Sequence, residues 1–374
     1  MTIKRKEGTK KMKFIKPLLV IMALAVITLA FGGNGLAFHE EGVAYCAGCH
    51  TMHNSRDGQP ITDTPGGYLL LEGSATSTCL SCHAAYGQFA GGEGYGGGGD
   101  YYWITKDFTW SAHGRTRSSL GDDHGHNVIA PELGLNQDKV LSKAPGGNFS
   151  SANLSCASCH DPHGKGDAEY LLRNNANYFG AVFPAAPVMK GLSRRTTSGE
   201  DGAVSDTNHA AYGSGMSAWC AACHTTFDDG LAAHMHPTNQ TMGSEIAQNY
   251  NQYISTEDPT GGTKAGAYWE FVPFETGQDE ATLDTSSTEG ADAGSKVACI
   301  SCHRAHATAF PDAIRWDNTT ELLVESHPDG GLTDNSTPED KLNSYYGTTV
   351  ETRWGPEQRS LCNKCHAQDG VHSG

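Results

Sequence analysis

The twelve cysteines fall without remainder into six Cys-x-x-Cys pairs, each followed directly by histidine: Cys46/Cys49/His50, Cys79/Cys82/His83, Cys156/Cys159/His160, Cys220/Cys223/His224, Cys299/Cys302/His303 and Cys362/Cys365/His366. Two thiols three positions apart lie on one turn of chain. There each can form a thioether to a haem vinyl group, while the imidazole of the next residue reaches the iron. This is the c-type haem attachment motif, and six of them imply six covalently bound haem c groups. Other uses of such residues fit less well. Disulfides suit an exported chain, but disulfide frameworks do not repeat one pentapeptide. Thioredoxin-like pairs come singly in a βαβ setting. Paired units could also make tetrahedral zinc sites, yet six identical motifs with no spare cysteine favour haem.

A haem iron with one histidine below it has either a second protein ligand above or an open face, and that difference separates carriers from catalysts. Of 18 histidines, the motifs use six as proximal ligands, which leaves His39, His53, His113, His124, His126, His163, His209, His234, His236, His306, His327 and His372. That is twice the number needed for bis-histidine ligation. Met52, Met189, Met216, Met235 and Met242 are rival ligands, but none recurs at a fixed offset from a motif. Histidine does recur: three motifs continue as CxxCH-x-x-His, placing His53, His163 and His306 three residues after His50, His160 and His303. Three residues cannot carry the backbone around a porphyrin rim, so the second histidine must serve a different iron. For His53 that iron belongs either to the same chain or to another molecule.

The elements that must position these groups are short. Charged residues make up 18% of the 374-residue chain and glycine contributes 46 positions, a balance rich in loops and poor in helical surface against a usual charged fraction of about 25%. Successive motifs lie 33, 77, 64, 79 and 63 residues apart, too irregular for a solenoid, and no domain boundary interrupts residues 38–374. Roughly 56 residues per haem are too few to wrap each group separately. The expected fold is therefore an irregular multihaem cytochrome c, loop-rich with short helices and little sheet, its core formed by six closely packed haems. Gly and Pro mark turns at 64–67 and 144–147. The glycine run 91–99, beside Tyr101, Tyr102 and Trp103, reads as a surface loop that could carry an adhesive aromatic patch. The acidic stretch 254–295 also reads as a surface loop, without the Asp pattern of a calcium site.

Residues 1–37 read as a cleaved signal peptide, with seven basic residues, an apolar stretch over 17–31 and Gly35-Leu36-Ala37 before the cut. That stretch is shorter than the ~20 residues of a spanning helix. The remaining chain holds 19 basic against 41 acidic residues, which disfavours nucleic acid or an anionic membrane as partner.

Residues 42–54 (GVAYCAGCHTMHN), 156–165 (CASCHDPHGK), 212–224 (YGSGMSAWCAACH), 299–307 (CISCHRAHA) and 361–367 (LCNKCHA) closely resemble the OmcS-like family of hexahaem outer-surface c-type cytochromes. The likeness extends over the mature chain at the level of motif number and order, while the intervening loops differ. It implies head-to-tail polymerisation into extracellular filaments with a continuous chain of bis-histidine haems. It also implies that His53 ligates a haem of the adjacent subunit, and that His39, His126, His163, His236 and His306 are the other distal ligands. His124 and His234 stand two residues from candidates and are alternatives to His126 and His236. His113, His209, His327 and His372 have no counterpart and are expected in solvent. Three functions compete. The first is a filament subunit conducting electrons to metal oxides, electrodes, other cells or other redox proteins. The second is a monomeric periplasmic or surface-bound shuttle, and the third a multihaem reductase. Six regular motifs and ample distal histidines disfavour the third, leaving an electron-transfer protein rather than an enzyme; the first and second differ in whether His53 binds in trans or in cis, and the resemblance favours the first.

Overall fold

A computed structural model describes residues 46–56, 59–60, 69–83, 98–164, 168–191, 204–227, 236, 238–347, 357 and 359–366. Segment 1–37, most of the glycine run, and His39, His234 and His372 lie outside them. The chain divides into two units, residues 1–49 and 50–374. In the first, Cys46–Gly48 forms a single 3₁₀ turn at the first motif.

Every cysteine motif folds as a helical turn. In the second unit these are helices α1 (Ala75–His83), α2 (Cys156–Cys159) and α3 (Met216–Cys220), a 3₁₀ turn at Cys299–Ser301, and a later helix at Arg359–Cys362. The turn projects the histidine, whose amide donates back to the first cysteine's carbonyl in His160, His224, His303 and His366 at 3.0–3.2 Å. Serine at the second x position starts it. Ser158 Oγ accepts the Ser155 amide at 2.9 Å and Ser301 Oγ accepts the Ala298 amide at 3.1 Å, each satisfying an otherwise orphaned donor at a helix start.

Between the motifs the chain is mostly irregular. Four antiparallel two-stranded ribbons pair β1 (Ser55–Arg56) with β2 (Gln59–Pro60), β3 (Phe108–Ala112) with β4 (Arg115–Ser119), β5 (Asn177–Tyr178) with β6 (Ala181–Val182), and β7 (Val188–Lys190) with β8 (Ala211–Ser214). Helix α4 (Gly243–Gln252) buries Ala247 and Tyr250, and α5 (Pro338–Ser344) begins at a Thr337/Asp340 capping box. The helix Arg359–Cys362 is α6. Among the described residues no helix is long and apolar enough to cross a membrane.

The three CxxCH-x-x-His motifs share a return segment that the irregular intervals conceal. The residue after the motif histidine donates its amide to Leu69, Leu171 or Ala313 at 2.7–2.8 Å. The histidine itself bridges the next residue, Leu70, Leu172 or Ile314. Leu69, Leu171 and Ala313 all have left-handed backbone, with φ of 58°, 54° and 54°, a conformation that costs a residue with a Cβ about 1–2 kcal/mol. The strain turns carbonyls toward the motif. One position on, Arg173 and Arg315 donate amides to Cys159 O and Cys302 O at 3.0 and 2.8 Å. Their guanidinium groups then clasp the turn: Arg173 Nε donates to Ala157 O at 2.9 Å and Arg315 Nε to Ile300 O at 2.8 Å. Arg173 also lies over the Tyr178 ring at 4.0 Å. Arg173→Ala is expected to lower the stability of the haem-loaded protein by about 2–3 kcal/mol in denaturant unfolding. Arg173→Lys should recover less than half of that, because it lacks the fork.

Side chains supply more of the interior than the composition suggests. A larger cluster gathers Trp103, Phe108, Tyr250, Phe271 and Phe310, and a smaller one Phe183, Met189, Trp219 and Ile300. Two readings of the sequence are corrected here. Tyr101 and Trp103 are buried rather than displayed as an adhesive patch. The stretch 254–295 is not simply a surface loop, because Tyr268, Trp269, Phe271 and Phe274 from it pack into the larger cluster. Buried Lys364 of the last motif donates to Tyr250 O and Tyr253 O at 2.8 and 3.1 Å, so α4 anchors that motif. Burial pushes the Glu270 carboxyl from 4.5 up to about 7, against the opposing pull of Arg304 and Arg315. The unfolded chain therefore loses this proton first as pH rises. Stability falls between pH 4.5 and about 7 and levels off above. Glu270→Gln is expected to remove that slope from the pH dependence of the unfolding midpoint.

Candidate functional site

Four motif histidines each face one other histidine ring. The ring centroids of His50 and His163 are 6.0 Å apart, those of His160 and His306 6.3 Å, those of His224 and His126 6.0 Å, and those of His366 and His236 5.9 Å. Two imidazole nitrogens bonded to one metal at about 2 Å each, with each centroid about 1.1 Å further out, put the centroids about 6 Å apart. The donor set and spacing fit a haem iron held between two imidazoles. The ring planes differ, being nearly parallel for His50/His163 at 15° and crossed for the others at 63°, 51° and 68°. Among the described residues no group of three His, Cys, Asp or Glu side chains gathers to hold a metal ion, unlike a tetrahedral zinc site.

The backbone fixes which nitrogen of each ring is available. His160 Nδ1 donates to Tyr170 O at 2.7 Å, His224 Nδ1 to Pro145 O at 2.9 Å, His303 Nδ1 to Asp312 O at 2.7 Å, His126 Nδ1 to Ala305 O at 2.6 Å and His306 Nδ1 to Gly99 O at 3.3 Å. Each bond sets the tautomer and leaves Nε2 as the free base, the usual arrangement of a metal-bound histidine. Burial holds His126 down to about 4 and His306 to about 3, and it lowers His160 and His303 as well. These imidazoles are neutral, as a ligand must be.

The segments carrying His126 and His306 are tied together, since the His126 amide donates to His306 O at 2.9 Å and Gly125 bridges Ala307. Glycine is required at that contact. A Cβ on Gly125 would stand 2.2 Å from His306 O, and one on Gly99, with φ of 94°, 2.0 Å from Ala307 O.

The attachment turns also meet in pairs, twice in the same way. Thr76, three residues before Cys79, accepts the Cys156 amide at 3.4 Å, and Ser217, three before Cys220, accepts the Cys299 amide at 3.2 Å. The Cys79 thiol lies close to that of Cys156, and the Cys220 thiol close to that of Cys299. The second and third motifs thus form one joint and the fourth and fifth another. Burial raises the thiols of Cys159 and Cys365 to about 12 and that of Cys223 to about 11, an apolar setting that suits thioethers better than thiolates.

Two further expected attachment cysteines stand apart from these joints. Cys49 is half-buried and closes the first turn, its amide donating to Cys46 O at 3.2 Å. It is also the last residue of the first unit, so the boundary at 49/50 separates Cys46 and Cys49 from the His50 that completes their motif. Cys82 has helical backbone inside α1, but its side chain lies outside the described ones, and only Cys79 of that pair is placed at the joint.

The remaining histidines separate clearly. His53 is exposed, next to Met52 at 79% exposure, and among the described residues no histidine ring lies across from it or from His303. His124 has both nitrogens engaged, donating from Nδ1 to Trp103 O at 2.8 Å and accepting the Ser119 hydroxyl at Nε2 at 2.7 Å, whereas His126 is the ring facing His224. The expectation that four unmatched histidines are solvated needs correction. His113 is exposed beside Glu325, but His209 and His327 are buried. His209 stacks on Tyr268 at 3.9 Å with its nitrogens 3.1 and 3.0 Å from Ala210 O and Ser287 O. His327 stacks on Trp110 at 4.1 Å, near Asp317 at 3.6 Å. The methionines Met189, Met216 and Met242 are buried in the side-chain clusters.

No protein-family model matches the chain. It is 33% identical, over 96% of its own length and 100% of the relative's, to the C-type cytochrome OmcS of Geobacter sulfurreducens. Two solved structures are similar over 89% of this chain and 100% of theirs. The outer membrane cytochrome S filament from that organism gives a TM-score of 0.76 at 30% identity, and the OmcS nanowires from cryo-electron microscopy give 0.74 at 31%.

Proposed function

Because this chain belongs to the family of the c-type cytochrome OmcS, we propose that it is an electron-transfer subunit of an extracellular cytochrome filament carrying six bis-histidine haem c groups. One observation carries the reading: the histidines are handed on in a fixed order. His163, from the third motif, faces His50 of the first, and His306, from the fifth, faces His160 of the third. Each CxxCH-x-x-His motif thus offers its extra imidazole to the odd-numbered motif before it. His53 of the first motif has no earlier motif to serve, and among the described residues no histidine ring faces His303 of the fifth. The surplus of one copy completes the deficit of the next.

The even motifs follow a parallel rule. His126, between the second and third motifs, faces His224 of the fourth, and His236, between the fourth and fifth, faces His366 of the sixth. His39, ahead of the first motif and outside the described residues, is the remaining distal candidate, and His83, whose haem Cys79 and Cys82 would anchor, is the remaining proximal ligand. The chain is then three tandem two-haem units, and a head-to-tail contact between copies continues the series without closing it. Haem iron, when bound, supplies reversible one-electron exchange between its ferrous and ferric states. The chain's cysteines would hold it covalently between paired imidazoles, and in the polymer His53 of the next copy would fill the position that His303 leaves open. That arrangement suits conduction to extracellular acceptors such as metal oxides, electrodes or other cells rather than turnover. Residues 1–37 direct export.

Carbon monoxide tests this. Reduced filaments are expected to bind little, whereas chains dissociated from them should bind about one per chain, at the iron of His303. Dissociated chains that take up none would point to a self-sufficient shuttle.

A further inference from the structure

Of the distal rings His126 and His306, His306 has the longer Nδ1 bond, 3.3 Å to Gly99 O against 2.6 Å for His126 to Ala305 O. A single long hydrogen bond restrains rotation of the ring plane weakly. A second restraint is present. The buried Tyr101 ring stacks on the His306 imidazole with centroids 4.8 Å apart and planes 19° from parallel. Gly98 also lies against it, since a Cβ there would stand 3.2 Å from His306 Nδ1 and Cε1. The segment holding Tyr101 is sewn to the segment holding His306: His306 N donates to Gly98 O at 2.6 Å, Asp100 N to Ala307 O at 3.1 Å, and Asp100 Oδ1 accepts the Tyr102 amide at 2.9 Å. Tyr101 therefore cannot drift from the ring it covers. Its electrostatic neighbours include Cys79, Cys156 and Cys159, so it also stands where the second and third motifs meet.

We propose that Tyr101 is a positioning residue for the third haem: its ring fixes the plane of the His306 imidazole, and through that plane sets the electronic state and potential of the iron shared by His160 and His306. The proposal rests on the reading of those two histidines as one iron's ligands. Iron d-orbital energies respond to the angle between two axial imidazole planes. Crossed planes, here 63°, give a low-spin ferric resonance with one large g value, and parallel planes, as in His50/His163 at 15°, give a rhombic one. Orientation of an axial ligand by its surroundings is among the protein's levers on haem potential.

The test is electron paramagnetic resonance and redox titration of the haem-loaded protein. In Tyr101→Leu, one haem's share of the large-g signal should move toward the rhombic form or become high-spin, one reduction step should shift, and the His50/His163 signal should stay. Tyr101→Phe keeps the stack and should match the unaltered protein. If Tyr101→Leu does not mature, Gly98→Ala presses a methyl against the same ring and should move the same signal. Spectra and titrations of the available variants that superimpose on the unaltered protein would overturn the proposal, as would a Tyr101→Phe change equal to that of Tyr101→Leu. His306→Ala separates the two readings. It should give one five-coordinate haem; if all haems stay low-spin in it, the ligand pairing has failed and the proposal falls with it, whereas a five-coordinate haem there with unchanged Tyr101→Leu spectra refutes the role of Tyr101 alone.

Discussion

Replacing His53 with alanine is expected to yield haem-loaded, soluble chains that form no filaments, with one high-spin iron per chain. The effect should be near-complete because a coordinate bond would be lost from every junction, whereas loss of an exposed ion pair costs about 0–1 kcal/mol. Among the described residues no histidine ring faces His53, which lies beside exposed Met52, or His303, whose Nδ1 is committed to Asp312 O. Electron microscopy and carbon monoxide uptake check the two halves separately. Fibres of ordinary length from His53→Ala would refute the trans ligand. The matching change, His303→Ala, should block assembly from the other side of the junction, so mixing the two variants should give dimers that cannot extend.

The second large effect is expected for the double change Cys156→Ala/Cys159→Ala, which removes the third attachment. Cys156 meets Cys79 at one joint, and the neighbouring ring His163 faces His50. His306 and His160 would lose the metal between them, and the return segment pinned by Arg173 would lose the turn it grips. Mass spectrometry should show one haem fewer. Because the free energy of binding such a group is also free energy of folding, protease resistance should fall across 98–191 more than around α4 and α5. Fibres that still assemble should conduct far less, since the gap falls in the middle of the array. An unchanged conductance would mean that electrons bypass the third haem.

Much of this was legible in the motifs. The six Cys-x-x-Cys-His units predict their own helical turns because the histidine amide reaches back to the first cysteine within one turn. The x-x-His extension predicts a second iron because three residues cannot cross a porphyrin. What the sequence hid was the tandem arrangement. Linkers of very different length separate equivalent positions, so intervals between motifs look random. Only Tyr68-Leu69-Leu70 and Tyr170-Leu171-Leu172 betray a shared return segment. The buried His209 and His327 were also invisible, because what makes burial tolerable is a carbonyl from elsewhere in the chain, Ser287 O for one and Ala309 O for the other. The stretch 254–295 misleads for a related reason. Its acids outnumber its aromatic residues, but Tyr268, Trp269, Phe271 and Phe274 are consecutive enough to be drawn inside together.

The proposed ligation would give any assembly a polarity. One tip would display a spare imidazole and the other an iron wanting a base, so copies would join in a single orientation. Free imidazole in the medium should then act as a chain terminator, capping the iron-bearing tip, shortening the polymer in proportion to its concentration and leaving the opposite tip competent to grow.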